Sequence, residues 1–230
     1  MNLITLIGWF AAALDSPVYY SIPYFTTKQD YKAFVKEEIS VYERSTRKRR
    51  RLTLSIATES RDWRKTKTAT CANFIHQKDA YIAMKVVDEL LSLGAPIYTV
   101  HDNFITTPPF VQLVPTIYTK VFLDLGHPLR IIQTFIQQNL IIPYSEKDIH
   151  SLRYHSLDHP LPSEKLSDLL TSLRPTSQNK NTWTKNVTAL MQSYHNYVET
   201  VYGLDLDSNR KWDKWKGEVE RRSHNYSLHY

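Results

Sequence analysis

The side chains best suited to chemistry stand together at residues 97–107, where Ile-Tyr-Thr-Val and Phe-Ile-Thr-Thr flank a polar His101-Asp102-Asn103 centre. An ionised carboxylate set between apolar runs is unfavourable without compensation, and a bound divalent cation is one compensating partner. Mg²⁺ takes oxygen ligands in octahedral geometry, commonly one or two carboxylates plus substrate phosphates. Asp102 so placed suits two-metal phosphoryl transfer, in which ions about 4 Å apart stabilise the attacking and leaving oxygens. The same Val-His-Asp-Asn-Phe run also fits an ordinary Asp-Asn turn.

A second constellation is Arg64-Lys65-x-Lys67 followed by Asn73-Phe74-Ile75-His76 and Asp79. Basic side chains at or before a helix start, together with the helix N-terminal amides, favour phosphate. A capped amphipathic helix with a half-buried His76 fits the same residues. His150, His155 and His159 resemble a metal cluster, but no cysteine joins them and their spacing matches no common site. Asn186-Val-Thr and Asn225-Tyr-Ser are formal glycosylation sequons, meaningful only on secretion. Trp212 and Trp215 in the Lys-rich tail suit either base stacking or packing against the main body.

Net charge is +6, but residues 44–67 hold ten Lys/Arg against only Glu59 and Asp62, a local +8 that leaves −2 for the rest of the chain. Such a concentration suits a polyanion, most often nucleic acid, because neutralised phosphates release counterions. A solvated basic loop or a localisation signal has the same composition. One cysteine, Cys71, excludes an internal disulfide and any multi-cysteine metal site. Five dispersed glycines exclude Walker-type and Rossmann-type phosphate loops.

The elements that must position these groups follow from periodicity. Residues 1–14 are apolar with a terminal alanine run, superficially like a secretory signal, yet lack a positive flank and are too short to span a bilayer; a buried helix or strand fits as well, with a signal or anchor the lesser alternative. Proline-punctuated, Tyr-rich 15–27 read as extended, in the manner of a hairpin, and 28–43 as a polar helix or strand. Residues 52–58 alternate like a half-buried strand. His76, Ala80, Ala83, Val87 and Leu90, widened by Ile82, Val86 and Leu93, predict a helix with that buried face, stopped by Gly94 and Pro96. Two short strands joined at His101-Asp102-Asn103 follow. Next comes a helix with Val114, Ile117, Tyr118, Val121, Phe122 and Leu125 inward, then a third over 129–140. Composition changes past Pro143, with further helices expected near 163–172 and 183–202.

In order and spacing, "RKTKTATCANFIHQKDA", a helix, "YTVHDNFITTP" and another helix resemble the C-terminal palm and fingers of single-subunit, phage-type RNA polymerases and their mitochondrial and linear-plasmid relatives. In that family a basic segment leads into an Asn-Phe-(Val/Ile)-His helix, and a His-Asp-Ser-Phe hairpin follows about 25 residues later; His76 and His101 are 25 apart here. The upstream "WFAAALDSPVYYSIPYF" is similar to the segment preceding these motifs. The likeness covers residues 8–140 and is strongest at 61–108.

The resemblance implies an α+β, mainly helical fold: a palm-type β-hairpin flanked by helices over 1–143, and a partly helical extension over 144–230. It implies a DNA-directed RNA polymerase with Asp102 as catalytic, Mg²⁺-binding carboxylate and His101 shaping the hairpin. His76 and Asn73 would lie near the nascent pair, and Arg64, Lys65 and Lys67 along the nucleic-acid path. DNA template, RNA transcript and ribonucleoside triphosphates are the implied partners, with no membrane and a mitochondrial location. Asn103 stands where the family has serine. The family's first catalytic Asp and its nucleotide-selecting Lys and Tyr have no counterpart here, so a separate N-terminal polymerase part is expected and the chain alone is expected to be inactive. A non-catalytic nucleic-acid-binding module derived from such an enzyme is the alternative. So is a relative of family A DNA polymerases, though these carry Glu after the hairpin Asp.

Overall fold

The computed structural model describes residues 2–101, 103–147, 160–202 and 207–222. Its first helix, α1 (Asn2–Ala13), is apolar on every side, and ten of its twelve residues are buried, which makes it a core helix and not a surface one. Trp9 and Phe10 meet Trp183 with ring centroids 5.7 and 5.0 Å apart. Burying side chains of this size contributes about 1.5–3 kcal/mol each. On another side α1 approaches the long helix α2 (Trp63–Ser92) so closely that a Cβ on Gly8 would overlap the Thr70 side chain.

Between these helices the chain folds into two hairpins. β1 (Val18–Ser21) and β2 (Thr26–Gln29) form the extended unit expected over 15–27. β3 (Lys32–Glu43) and β4 (Lys48–Arg61) form a ribbon about 40 Å long at ordinary strand rise. The segment read as a polar helix or strand is thus a strand. The 52–58 strand is present, but its half-burial is not: Leu52, Leu54 and Ile56 stay 44–46% exposed. Alternation normally marks one face against a core; among the described residues no core lies beneath this ribbon.

α2 begins at Asp62, whose carboxylate accepts from the Lys65 amide at 2.9 Å. Its buried line is Thr66, Thr70, Phe74 and Gln77, then Ile82, Val86 and Leu90. The expected stripe through His76 and Leu93 is therefore rotated: His76 is exposed and Leu93 is 54% exposed. The cause is polar burial, which hydropathy does not register. Gln29 donates to Thr66 O and Thr70 Oγ1, both at 3.1 Å, and accepts from Tyr20 and Asn73 at 2.7 and 2.6 Å. Hydrogen-bonded side chains of this kind are tolerated inside. The helix ends as expected: Gly94 takes φ +74°, and Ala95 and Gly94 donate to Leu90 O and Leu91 O at 3.0 and 2.9 Å.

β5 (Ile97–Val100) and β6 (Asn103–Thr106) form the third hairpin. α3 (Pro108–Val111), α4 (Leu113–Asp124) and α5 (Pro128–Ile136) follow, the last running into a π turn over Gln137–Ile141. There Asn139, 1% exposed, bonds both the amide and the carbonyl of Tyr19 at 2.8 and 2.9 Å, completing the free edge of β1. Phe122, expected inward, is 38% exposed to solvent and meets Trp215 at 6.0 Å.

Past Pro143, α6 (Ser163–Ser172) and α7 (Lys180–Tyr202) join the core of α1, Phe74 and Phe135 through Leu166, Leu170, Trp183, Leu190 and Tyr194. α8 (Asp207–Arg222) stacks Trp212 on Trp215 at 5.1 Å and sets Trp212 against His127 at 5.4 Å, so these rings pack on the body. The fold is α+β and mainly helical. Among the described residues no helix is long and apolar enough to cross a membrane.

The α1–α2 approach yields a stability prediction. Gly8→Ala should lower unfolding free energy by about 1–3 kcal/mol through overpacking against Thr70. Urea melts read this directly, and an unchanged midpoint would refute the close contact.

Candidate nucleic-acid interface and hairpin site

The β5–β6 hairpin is built to present a two-residue turn. Val100 pairs with Asn103, leaving His101 and Asp102 as the connection. His101 adopts φ +54°, the left-handed region that tight two-residue connections use, and histidine is among the side chains enriched there. Asn103 turns back, donating to Val100 O at 3.3 Å. Asp102 itself lies outside the described residues, as do His150, His155, His159 and Asn225.

One face of the hairpin is anchored. Ile97 and Phe104 pack with Tyr81 against the cluster of Ile82, Val86, Leu90 and Val121, and the Phe104 ring lies 6.4 Å from Tyr118. The opposite face is bare: Tyr98 is 67% exposed, Ile105 53% and Val100 44%. A rigid base with an open apolar face suits a turn that must meet another surface.

The remaining site residues ride on α2 and point in different directions. At 3.6 residues per turn, Lys65 and His76 fall within about 20° of one another around the helix axis and about 17 Å apart along it. Both are exposed. Lys65 Nζ sits 4.7 Å from the Tyr31 ring centroid, and Arg64 lies 5.0 Å over Trp63. Lys67 falls on the opposite side of the helix from His76. Asn73 is committed to structure, bonding Gln29 and, at 3.3 Å, Tyr31. His76 precedes Tyr81, and hence the hairpin's packing cluster, by about 8 Å of helix.

Arg61, counted with the basic segment, is a clamp and not a binding group. Its side chain is 12% exposed, and its Nε donates to Asp30 at 2.8 Å while Nη1 pairs with Asp15 at 2.5 Å. It ties the foot of the ribbon to the segments after α1 and β2. Burial pushes the Asp30 carboxyl up, but the Arg61 hydrogen bond and charge outweigh it, and the carboxyl sits below the ordinary range.

Further exposed basic groups stand at the ribbon tip: Arg44, Arg47, Lys48, Arg49, Arg50 and Arg51, of which Arg50 pairs with Glu43 at 2.8 Å. Composition marks them only as charge. The signal was present in the Arg-Arg-Arg-Leu-Thr-Leu-Ser-Ile alternation, which puts Arg49 and Arg51 on one ribbon face with Tyr42. Among the described residues no group of three or more His, Cys, Asp or Glu could hold a metal ion. A two-ion centre therefore needs ligands beyond them.

The DNA-dependent RNA polymerase family model matches residues 11–210, beyond the 8–140 limit read from the motifs, and the chain belongs to this single-subunit, phage-type family. It is similar to a probable DNA-directed RNA polymerase of Zea mays, 39% identical over a 153-residue alignment that covers 62% of this chain. The chain spans 14% of the length of that maize protein.

The Arg61 clamp has a pH signature. A depressed folded-state carboxyl contributes stability above its unfolded value, about 3.9, and loses it as pH falls through the folded value. Arg61→Met should therefore destabilise the chain most at neutral pH, the gap to wild type narrowing below about pH 4. Equal gaps at pH 7 and about pH 2.5 would contradict the pairing with Asp30.

Proposed function

We propose that this chain contributes one catalytic carboxylate and much of the nucleic-acid grip to a single-subunit DNA-directed RNA polymerase. The observation that carries the reading is family membership over 11–210 combined with a hairpin whose two-residue turn is His101-Asp102. The reaction is attack of an RNA 3′-hydroxyl on the α-phosphate of a ribonucleoside triphosphate, with release of pyrophosphate. Asp102 is assigned as one Mg²⁺ ligand, in the palm of a right-hand polymerase. Mg²⁺ in such centres neutralises charge on the attacking and leaving oxygens. The described residues offer no second carboxylate cluster, so the other ligands are assigned to a polymerase part that covers the open Tyr98–Ile105 face.

Lys65 and His76, aligned on one exposed face of α2, are assigned to the template strand and the nascent pair. Arg64 stands beside them at the helix start, Lys67 is assigned to a backbone contact on the opposite side of α2, and His101 and Asn73 hold shape at the hairpin and helix. The ribbon is assigned to duplex DNA: a two-stranded β-ribbon fits the major groove, and Arg49 and Arg51 present guanidinium groups to phosphates or guanine edges. A mitochondrial site of action belongs to the same proposal and is checked by fractionation.

A second reading is favoured by the exposed basic ribbon tip: a nucleic-acid-binding module without catalysis of its own. Two measurements separate them. With the complementary polymerase part supplied, template-directed ribonucleotide incorporation is expected, and Asp102→Ala should cut it by about a thousandfold or more. Incorporation that survives this substitution overturns the catalytic assignment. For the ribbon, Arg49→Ala and Arg51→Ala should each reduce the salt slope of DNA binding by about 1, while Arg61→Met leaves it unchanged. DNA binding without incorporation leaves the module reading standing.

A further inference from the structure

The foot of the β3–β4 ribbon opens into a groove that the hairpin and ribbon-tip assignments leave unused. Between the Lys32–Arg61 and Phe34–Ala57 rungs, residues 58–60 of β4 face the single residue Ala33 of β3. Bulges of this kind bend a strand and re-aim the side chains beside them. Thr58 Oγ1 braces this one by donating to Ala33 O at 3.0 Å. Phe34 follows immediately, opposite the small Ala57, and stays 59% exposed. Where β4 gives way to α2, Trp63 lines the same groove and is 42% exposed. The groove measures about 740 Å³, within the range of ligand sites.

Its charges favour an anionic occupant. Arg61 and Lys28 answer Asp15 and Asp30, and the Asp62 carboxylate caps the Lys65 amide, so Glu59 is the carboxylate left exposed at the wall. Against it stand Lys32, whose Nζ donates to Glu59 O at 3.0 Å, and the exposed Arg64, 5.0 Å over the Trp63 ring. Lys67, four residues on from Trp63, rises from the same side of α2. Exposed flat rings beside cations are what unpaired nucleic acid meets: bases stack on aromatic side chains while the cations follow the backbone. Bases inside a duplex are already stacked on their neighbours, so such rings select an opened strand.

We propose that this groove binds unpaired nucleic acid, with a base stacked on Trp63 or Phe34 and its phosphate near Arg64 and Lys67. Stacking of this kind tolerates any base, because every base has a π face. The groove lies about 30 Å along the ribbon from its tip at ordinary strand rise, so duplex at the tip and an opened strand at the foot do not compete. The role of the site rests on the polymerase reading, in which synthesis on a template requires opened strands, whereas the binding itself needs no catalysis.

Fluorescence anisotropy of the full chain tests it, with labelled oligo(dT), oligo(U) and duplex DNA of equal length. Salt-dependent binding of an unpaired strand is expected. Trp63→Ala and Phe34→Ala should each weaken it about fivefold or more, leaving duplex affinity within about twofold. Trp63→Phe keeps a flat ring and should stay within about threefold of wild type. Tighter binding of oligo(U) assigns the groove to the transcript, tighter binding of oligo(dT) to an opened DNA strand, and equal binding to both; each supports the site. Circular dichroism checks that the variants keep their fold; if Trp63→Ala does not, Phe34→Ala decides alone. Strand affinity indifferent to both alanine variants, the result expected if these rings pack on another polypeptide, overturns the proposal. So does an equal loss of strand and duplex binding. Duplex binding indifferent to Arg49→Ala counts against the ribbon-tip assignment alone.

Discussion

A polar joint on the N-terminal half of α2 governs how the rest of the molecule is presented. Gln29 bridges Thr66, Thr70, Tyr20 and Asn73, while Gly8 lets α1 close onto Thr70. Burying so many polar atoms is tolerable only when they are paired, since each unpaired one costs about 1–3 kcal/mol. The network is not complete: Thr66 Oγ1 and Gln77 Oε1 are buried without a partner among the described residues. Its effect is rotational. With Thr66, Thr70, Phe74 and Gln77 held inward, Lys65 and His76 have to face out together. A purely apolar stripe would have turned His76 toward the core.

The same helix joins two hydrophobic clusters. Phe74 belongs to the one built from α1, α5, α6 and α7, whereas Ile82, Val86 and Leu90 belong to the one beneath the β5–β6 hairpin. His76 lies on the short stretch between them. Any displacement of the hairpin relative to the main core would have to bend α2 there, and a helix interior without Pro or Gly resists bending. The fixed spacing between basic helix start, His76 and hairpin turn is thus a mechanical property of one uninterrupted helix.

Much of this architecture was legible in the sequence because it rests on local signals. Gly94 and Pro96 mark the end of α2, the β-branched runs around His101-Asp102 mark the hairpin, and the likeness at residues 61–108 led to the family that the match over 11–210 shows. What escaped depends on tertiary context. Hydropathy cannot distinguish a Thr or Gln buried in a hydrogen-bond network from one in water, so the buried face of α2 was misplaced. Arg61 and Arg49 have identical composition signals, yet one is 12% exposed between two carboxylates and the other is exposed on the ribbon. The alternating 52–58 segment reads as half-buried by pattern, and only its exposure in the fold shows that no described element covers it.

Exposure itself separates the two groups of basic residues by task. A guanidinium between Asp15 and Asp30 has its charge neutralised within the chain and has little field to offer a polyanion. Those at the ribbon tip keep theirs, apart from the Arg50–Glu43 pair, and stand on a two-stranded element long enough to reach well away from the body. Attraction for phosphate grows with the number of cations free to displace counterions. The +8 of residues 44–67 therefore overstates the positive charge available at α2 and locates most of the available charge on the ribbon. Grip on nucleic acid and fixing of the hairpin turn fall to different elements, which meet where Arg61 fastens the ribbon's foot beside the start of α2.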